Sequence, residues 1–198
     1  MTKRVGLFGG SFDPIHFGHL NLALSLMERQ NLDEVLFCPA HTSPLKKGEP
    51  PRASKEDRLK MVGLAIEEIK GFSVLDFEIK KPPPSFTIDT VRFLLSKGKI
   101  DLHLILGEDS LRDLAKWKEI EELLRLAPPF VGSRVSELSA LSPALMSLVE
   151  EGVIRTPVIE ISSTEIRARL GKGLFCGHLV PAKVLQHINK NFLYTHEA

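Results

Sequence analysis

The chain has 198 residues, with 26 basic and 25 acidic side chains and a formal net charge of +1. The charges are interspersed, which leaves no basic footprint for nucleic acid or for a membrane surface. Cys38 and Cys176 are the only cysteines, too few for a disulfide framework in a chain of this length, so a reducing, cytoplasmic setting is expected.

Short apolar runs alternate with segments of helical period. Strands are expected near Val5–Phe8, Glu34–Cys38, Ser73–Glu78, Leu102–Leu106, Phe130–Arg134 and Val158–Ile161. Their near-continuous apolar character fits parallel strands covered on both faces. After the first strand, Leu20, Ala23, Leu24 and Met27 recur at helical spacing. Ser54 with Glu56 and Asp57 reads as a capped start for a second helix carrying Leu59, Val62, Ala65, Ile66 and Ile69. Thr87 is expected to cap a third, stopped near Gly98. Further helices are expected over Lys118–Ala127, Leu138–Glu151, Ser163–Leu170 and Pro181–Asn191, with Pro181 suited to a first helical position.

This order predicts an α/β fold, a Rossmann-like, doubly wound, mostly parallel sheet, in one domain over residues 1–198 with a small helical portion at about 162–198. Neither a signal peptide nor a run of about 18 apolar residues is apparent, so no membrane partner is expected. Two loops stand out. Pro39–Ala53 is long, with four prolines and two lysines, and Lys80–Ser85 is stiff and basic. In such folds the functional residues gather in loops at the carboxyl ends of strands.

The stretch Gly9-Gly10-Ser11-Phe12-Asp13-Pro14-Ile15-His16-Phe17-Gly18-His19 follows the first strand and opens the first helix. Three readings of it stand side by side. It is a plain tight turn with two exposed histidines. It is a partial zinc site in which His16 and His19 have only Asp13 as a further ligand nearby. Or it is a phosphate site: glycines admit a polyphosphate to the backbone, a helix N-terminus offers unpaired N–H groups, and the imidazoles and Ser11 add donors. The pattern matches neither the Walker loop nor Gly-x-Gly-x-x-Gly.

The same eleven residues resemble the signature of the nucleotidyltransferase α/β phosphodiesterase superfamily, with its His-x-Gly-His core. Far downstream, Ile161-Ser162-Ser163-Thr164-Glu165-Ile166-Arg167 resembles the superfamily's Ile-Ser-Ser-Thr-x-Ile-Arg motif. Between them, Ser85-Phe86-Thr87, Gly107-Glu108-Asp109-Ser110 with Trp117, and the end from Val180-Pro181 to Leu193-Tyr194 resemble bacterial nicotinate-nucleotide adenylyltransferases. The resemblance spans nearly the whole chain.

It implies that ATP and nicotinate mononucleotide react to give the dinucleotide and pyrophosphate, with Mg²⁺ arriving on ATP and no protein metal site. His16, His19 and Arg167 are the implied catalytic residues. Gly9, Gly10, Ser11, Phe12, Gly107, Ile161, Ser162, Ser163 and Thr164 would border ATP. Lys46, Ser85, Phe86, Thr87, Asp109, Trp117 and Arg134 would face the mononucleotide. Several of these have plainer readings: Ser162 or Ser163 and Thr87 as helix caps, Asp109 as a cap after the fourth strand, and Trp117 as packing.

The chain departs from the family pattern at Phe86, where Tyr is usual, and at Ser43-Pro44-Leu45-Lys46, where Pro-Pro-His-Lys is common. His41 also stands where Asn is common. His103, Cys38 and Cys176 read as packing residues. Two rivals remain open. One is a pantetheine-phosphate or nicotinamide-mononucleotide adenylyltransferase of the same fold, and the other is a non-catalytic nucleotide sensor. A homo-oligomer is allowed.

Overall fold

The computed structural model describes residues 2–42, 44, 50–133, 141–157 and 159–195. Six strands form one sheet: β1 (Lys3–Gly10), β2 (Glu34–Pro39), β3 (Phe72–Val74), β4 (Ile100–Gly107), β5 (Pro129–Ser133) and β6 (Val153–Arg155). Their order is β3-β2-β1-β4-β5-β6, and every pairing is parallel. The helices are α1 (Phe17–Arg29), α2 (Lys55–Ile66), α3 (Phe77–Lys80), α4 (Thr87–Ser96), α5 (Glu108–Leu111), α6 (Ile120–Leu126), α7 (Pro143–Val149), α8 (Ser163–Gly171) and α9 (Ala182–Lys190).

Successive strand side chains point to opposite faces, so each strand feeds two cores. Phe8 of β1, Val35 and Phe37 of β2 and Ile105 of β4 pack with α1, α2, α8 and α9. Val5 and Leu7, Cys38, and Leu102, Leu104 and Leu106 pack on the other face with α4, α6 and α7. The C-terminal helices are part of the first layer: α9 lies on α2, with Val184 and Ile188 fully buried. Strand order reverses at β1, whose two neighbours are β2 and β4. A crevice opens there at the carboxyl ends, because connections leave toward opposite faces.

Several boundaries differ from the sequence reading. The final strand is Val153–Arg155, where Val158–Ile161 was expected. Val153 and Ile154 pair with Val131 and Gly132, the ladder closes with Thr156 N–H donating to Ser133 O at 3.1 Å, and Pro157 has no N–H to extend it. Residues 159–161 run as irregular chain along the crevice.

The third strand stops at Val74, and Phe77–Lys80 turns helical after Asp76, whose carbonyl accepts from Lys80 N–H at 3.1 Å. Ser54 caps α2 as expected, accepting from Asp57 N–H at 3.0 Å. Thr87 is the first residue of α4, and Phe86 holds the cap position. Pro181 likewise sits one place earlier than expected, at the cap of α9. Leu24 of the first helix is exposed, and Leu26 is buried in the core. Cys38 and Cys176 are buried and unpaired. His103 is buried between Asp101 Oδ1 at 3.0 Å and Pro128 O at 3.1 Å, stacked on Phe130, which is a packing role. Among the described residues, no helix is long and apolar enough to cross a membrane.

Candidate active site

Two clefts open at the carboxyl edge of the sheet, of about 970 and 930 Å³. They meet at Gly9 and Gly10, which line both. A Cβ on Gly9 would meet no atom within 4 Å, so the last turn of β1 presents bare backbone to open space between the clefts. This is the close approach that a phosphate chain requires of a backbone.

The first cleft gathers both ends of the chain. His16, His19 and Phe12 from the β1–α1 connection line it, as do Gly107 and Asp109 after β4, and Ile161, Ser162, Ser163, Thr164 and Arg167. His16 occupies the cap position of α1 with extended backbone. Its ring stacks on that of His19, centroids 3.7 Å apart. Stacked face to face, the two rings do not converge on one point as metal ligands would. Asp13, the third zinc candidate, is turned inward and occupied by other donors. Among the described residues no group of three or more His, Cys, Asp or Glu is placed to hold a metal ion.

The backbone N–H of His16 donates to His19 Nδ1 at 3.3 Å. A backbone amide can only donate, so the bond assigns the His19 proton to Nε2. Gly18 keeps the pair in place: a Cβ there would stand 3.0 Å from His16 Nδ1 and 3.2 Å from Ile159 O.

His16 is 6% exposed. Burial pushes its pKa down to about 4, so the ring is neutral near neutral pH and contributes one donor and one acceptor. A protonated imidazole was one way to strengthen this corner; in the unliganded site, desolvation forbids it. Stability should consequently fall as pH drops from about 6.5 to about 4, the window in which the unfolded chain takes up a proton that folded His16 refuses. The total is on the order of 3 kcal/mol. Urea unfolding across that range should show the slope in the natural chain and a shallower one in His16→Gln. Equal slopes would place the acid sensitivity elsewhere.

The two sequence signatures are physically joined. Ser163 Oγ donates to Pro14 O at 2.9 Å, and Arg167 Nη1 donates to Asp13 O at 2.7 Å. Arg167 Nη2 donates to Thr164 Oγ1 at 3.2 Å, while Ser162 caps α8 by accepting from Thr164 N–H at 3.2 Å. The cap reading of Ser162 holds, and Thr164 and Arg167 line the same cleft. Ser11 stands apart from the cleft lining, its carbonyl accepting from Arg58 Nη1 at 2.7 Å.

The second cleft holds Ser85, Phe86 and Thr87 at the start of α4, together with Trp117, Lys116, Lys118 and Thr42. Ser85 is fastened from two sides: its N–H donates to Thr42 O at 3.1 Å, and its Oγ accepts from His41 N–H at 2.9 Å. Lys118 Nζ lies 4.7 Å above the Phe86 ring and 3.7 Å from Asp89 Oδ1. Trp117 is half-buried, so it both packs on the second core and lines the cleft. Asp109, expected beside the mononucleotide, lines the first cleft instead and is almost fully exposed. Lys46, Lys47 and Arg134 lie outside the described residues.

Sequence reasoning missed the support behind this surface. Asp13 Oδ1 accepts from Tyr194 O–H at 2.7 Å and from Ala53 N–H at 3.1 Å, and Oδ2 accepts from Arg52 N–H at 2.9 Å. Burial and the neighbouring Asp13 charge push the Tyr194 phenol well above its ordinary range. Arg58, fully buried on α2, bridges Ser11 O to His41 O. Nothing local in the sequence marks Arg58. Asp13 lies inside the signature, but only its possible part in a metal site drew notice.

Comparison with known proteins gives the family and the fold. The cytidylyltransferase-like family matches residues 7–169. A probable nicotinate-nucleotide adenylyltransferase of Dehalococcoides mccartyi is 38% identical over 201 residues, covering 98% of each chain. Another, of Roseiflexus castenholzii, is 40% identical over 199 residues, again covering 98% of each. Among solved structures, Plasmodium falciparum nicotinic acid mononucleotide adenylyltransferase complexed with NaAD superimposes with a TM-score of 0.74 at 20% identity, covering 97% of each chain. That likeness speaks for the fold, and the sequence relatives speak for the family. The chain belongs to the nicotinate-nucleotide adenylyltransferases of the cytidylyltransferase-like family.

Proposed function

We propose that this chain, working as one nucleotidyltransferase domain in the cytoplasm, transfers the adenylyl group of ATP to nicotinate mononucleotide in NAD biosynthesis. The observation that carries the reading is the pair of clefts joined at Gly9–Gly10, one lined by phosphate-type donors and the other by an aromatic residue and a helix start. ATP occupies the first cleft and the mononucleotide the second. Their phosphates meet over the end of β1.

The nucleophile is a phosphate oxygen that is already anionic. It bonds to the α-phosphorus of ATP as the bond to the bridging oxygen of pyrophosphate breaks, and no proton has to be removed. The protein therefore needs no general base; it has to align two anions and offset their charge. His19 Nε2–H and the neutral His16 face the reacting phosphates. Thr164, Arg167 and the N-terminus of α8 hold the departing pyrophosphate. Mg²⁺ comes with ATP as part of the substrate, held by phosphate oxygens and water.

The pyridine ring stacks on Trp117, and its carboxylate lies at the N-terminus of α4, where an anion is favoured over a neutral amide. Trp117→Ala should then raise the KM for the mononucleotide several-fold more than that for ATP. Equal shifts would leave Trp117 a packing residue.

The direct test is pyrophosphate release from ATP with nicotinate mononucleotide, nicotinamide mononucleotide or phosphopantetheine. Turnover with the acid far above the other two supports the reading. Preference for either of the others reassigns the substrate, and no release with any of them leaves only nucleotide binding.

A further inference from the structure

Arg58, near the start of α2, is 1% exposed and lines neither cleft. Its backbone N–H donates to Ser54 O at 3.0 Å, and the Arg52 and Ala53 amides just before the helix are held by the Asp13 carboxylate. The start of α2 is thereby docked against the β1–α1 connection. From there the guanidinium grips two carbonyls, with Nη1 donating to Ser11 O at 2.7 Å and Nη2 to His41 O at 2.9 Å. Ser11 lies between Gly10 and Phe12, which line the first cleft. His41 lies between Ala40 and Thr42, which line the second.

The grip falls where the sheet stops holding the two clefts together. β1 and β2 pair as far as Gly10 and Pro39, and Ala40 N–H donates to Gly10 O at 2.9 Å. Beyond that bond the chains part. Phe12 turns through left-handed backbone, φ 48°, toward α1. His41 and Thr42 turn toward Ser85, whose Oγ accepts from His41 N–H and whose N–H donates to Thr42 O. A guanidinium holds its donors in a rigid planar fork, so it bridges two acceptors at a set separation. Here it carries the pairing one step past the end of the ladder.

The bridge has a cost. Burial opposes the Arg58 charge, which the Asp13 carboxylate offsets, and Nε has no hydrogen-bond partner among the described residues. Stability alone does not call for a buried cation with an idle donor.

We propose that Arg58 is the positioning residue that sets the distance between the two clefts, holding the bound phosphates in line for transfer while touching neither substrate. The inference rests on the assignment of the clefts to ATP and nicotinate mononucleotide. Attack of a phosphate oxygen on the α-phosphorus tolerates little error, and a misplacement of about 1 Å costs on the order of 10²-fold in rate. Each cleft keeps its own supports without Arg58. Ser163 and Arg167 hold the Pro14 and Asp13 carbonyls on one side, and Ser85 holds His41 and Thr42 on the other. Losing the grip shifts the clefts against each other and dismantles neither.

The test compares Arg58→Met and Arg58→Lys with the natural chain. Methionine fills the space and bonds neither carbonyl, whereas lysine keeps the charge but gathers its donors on one nitrogen. Four quantities are measured: kcat, and the Kd values of ATP alone, nicotinate mononucleotide alone and nicotinate adenine dinucleotide, which spans both clefts. In Arg58→Met the two separate substrates should change by less than about threefold, the dinucleotide should bind roughly tenfold or more weakly, and kcat should fall roughly 10²-fold. Arg58→Lys should lie between this variant and the natural chain.

A folded Arg58→Met with natural kcat, a dinucleotide affinity that does not fall, or equal losses for all three ligands would overturn the proposal; the last would leave Arg58 an ordinary structural residue. Should neither variant fold, the natural chain decides by nuclear magnetic resonance of its guanidinium groups. The Arg58 Nη protons should stay separately resolved and slow to exchange with the dinucleotide bound, and a freely rotating guanidinium there would overturn the proposal. A natural chain that neither turns over nor binds the dinucleotide is a distinct result, seen before any variant is compared: it removes the functional assignment and this inference with it.

Discussion

Replacing His19 by alanine should lower kcat by roughly 10²- to 10³-fold, the loss typical of one transition-state donor, with little change in the KM for ATP or in the unfolding midpoint. The expectation follows from geometry. His19 sits at the third residue of α1 and receives the His16 amide on Nδ1. That bond settles the tautomer, so Nε2 carries the proton. The Phe12 ring meets the imidazole nearly edge-on at 5.1 Å, and His16 stacks on it at 3.7 Å. A ring packed on two sides and hydrogen-bonded at one nitrogen loses little freedom when a phosphate arrives, so its donor is pre-aimed. Removing it takes away an interaction that strengthens as charge builds on the transferring phosphoryl group. It leaves most of the binding contacts of ATP in place. Steady-state kinetics of pyrophosphate release, with circular dichroism as the folding control, would check this. A variant as active as the natural chain would show that His19 is only a helix-start residue.

The largest effect on stability should come from Asp13→Ala, on the order of 3–5 kcal/mol. Asp13 is 5% exposed, and its carboxylate receives the Arg52 and Ala53 amides and the Tyr194 hydroxyl. Arg167 Nη1 lies 3.8 Å from Oδ2. Alanine leaves those donors buried and unpaired, and each such loss costs about 1–3 kcal/mol. It also frees Tyr194 from the phosphate loop, while Arg167 keeps its bond to the backbone carbonyl of residue 13. Tyr194→Phe, which deletes a single partner, should cost about 1 kcal/mol. Urea unfolding of both variants would measure the difference. If Asp13→Ala fell within about 1 kcal/mol of the natural chain, the carboxylate would be a bystander and the loop would be held by its backbone alone.

These two residues mark the boundary between what a linear reading reaches and what it does not. His19 could be found because its chemistry is local. A strand end, two glycines, a helix start and two imidazoles three residues apart all fall within one short stretch, and each carries its own physical signature. The same holds for Ser162 through Arg167, for the Ser54 cap, and for Ser85–Thr87 as the start of a helix. Strand and helix alternation was equally legible, since periods of 2 and 3.6 are properties of neighbouring residues. Asp13 lies in that same short stretch, yet its role was hidden. Its partners stand 39, 40 and 181 residues away.

What the amino-acid order decided alone, then, was the alternating α/β plan, the two signatures and the residue types that could meet a phosphate. Only the folded chain decided that the signatures lock together through Arg167 and Ser163, that two clefts share Gly9 and Gly10, and that Asp109 faces the first of them. It also decided that the last strand ends at Arg155, and that His16 is held uncharged by burial. The reason is common to all of these. Pairing across the sheet and loss of water around a side chain depend on distances in space, and no spacing along the chain encodes them until the layers close.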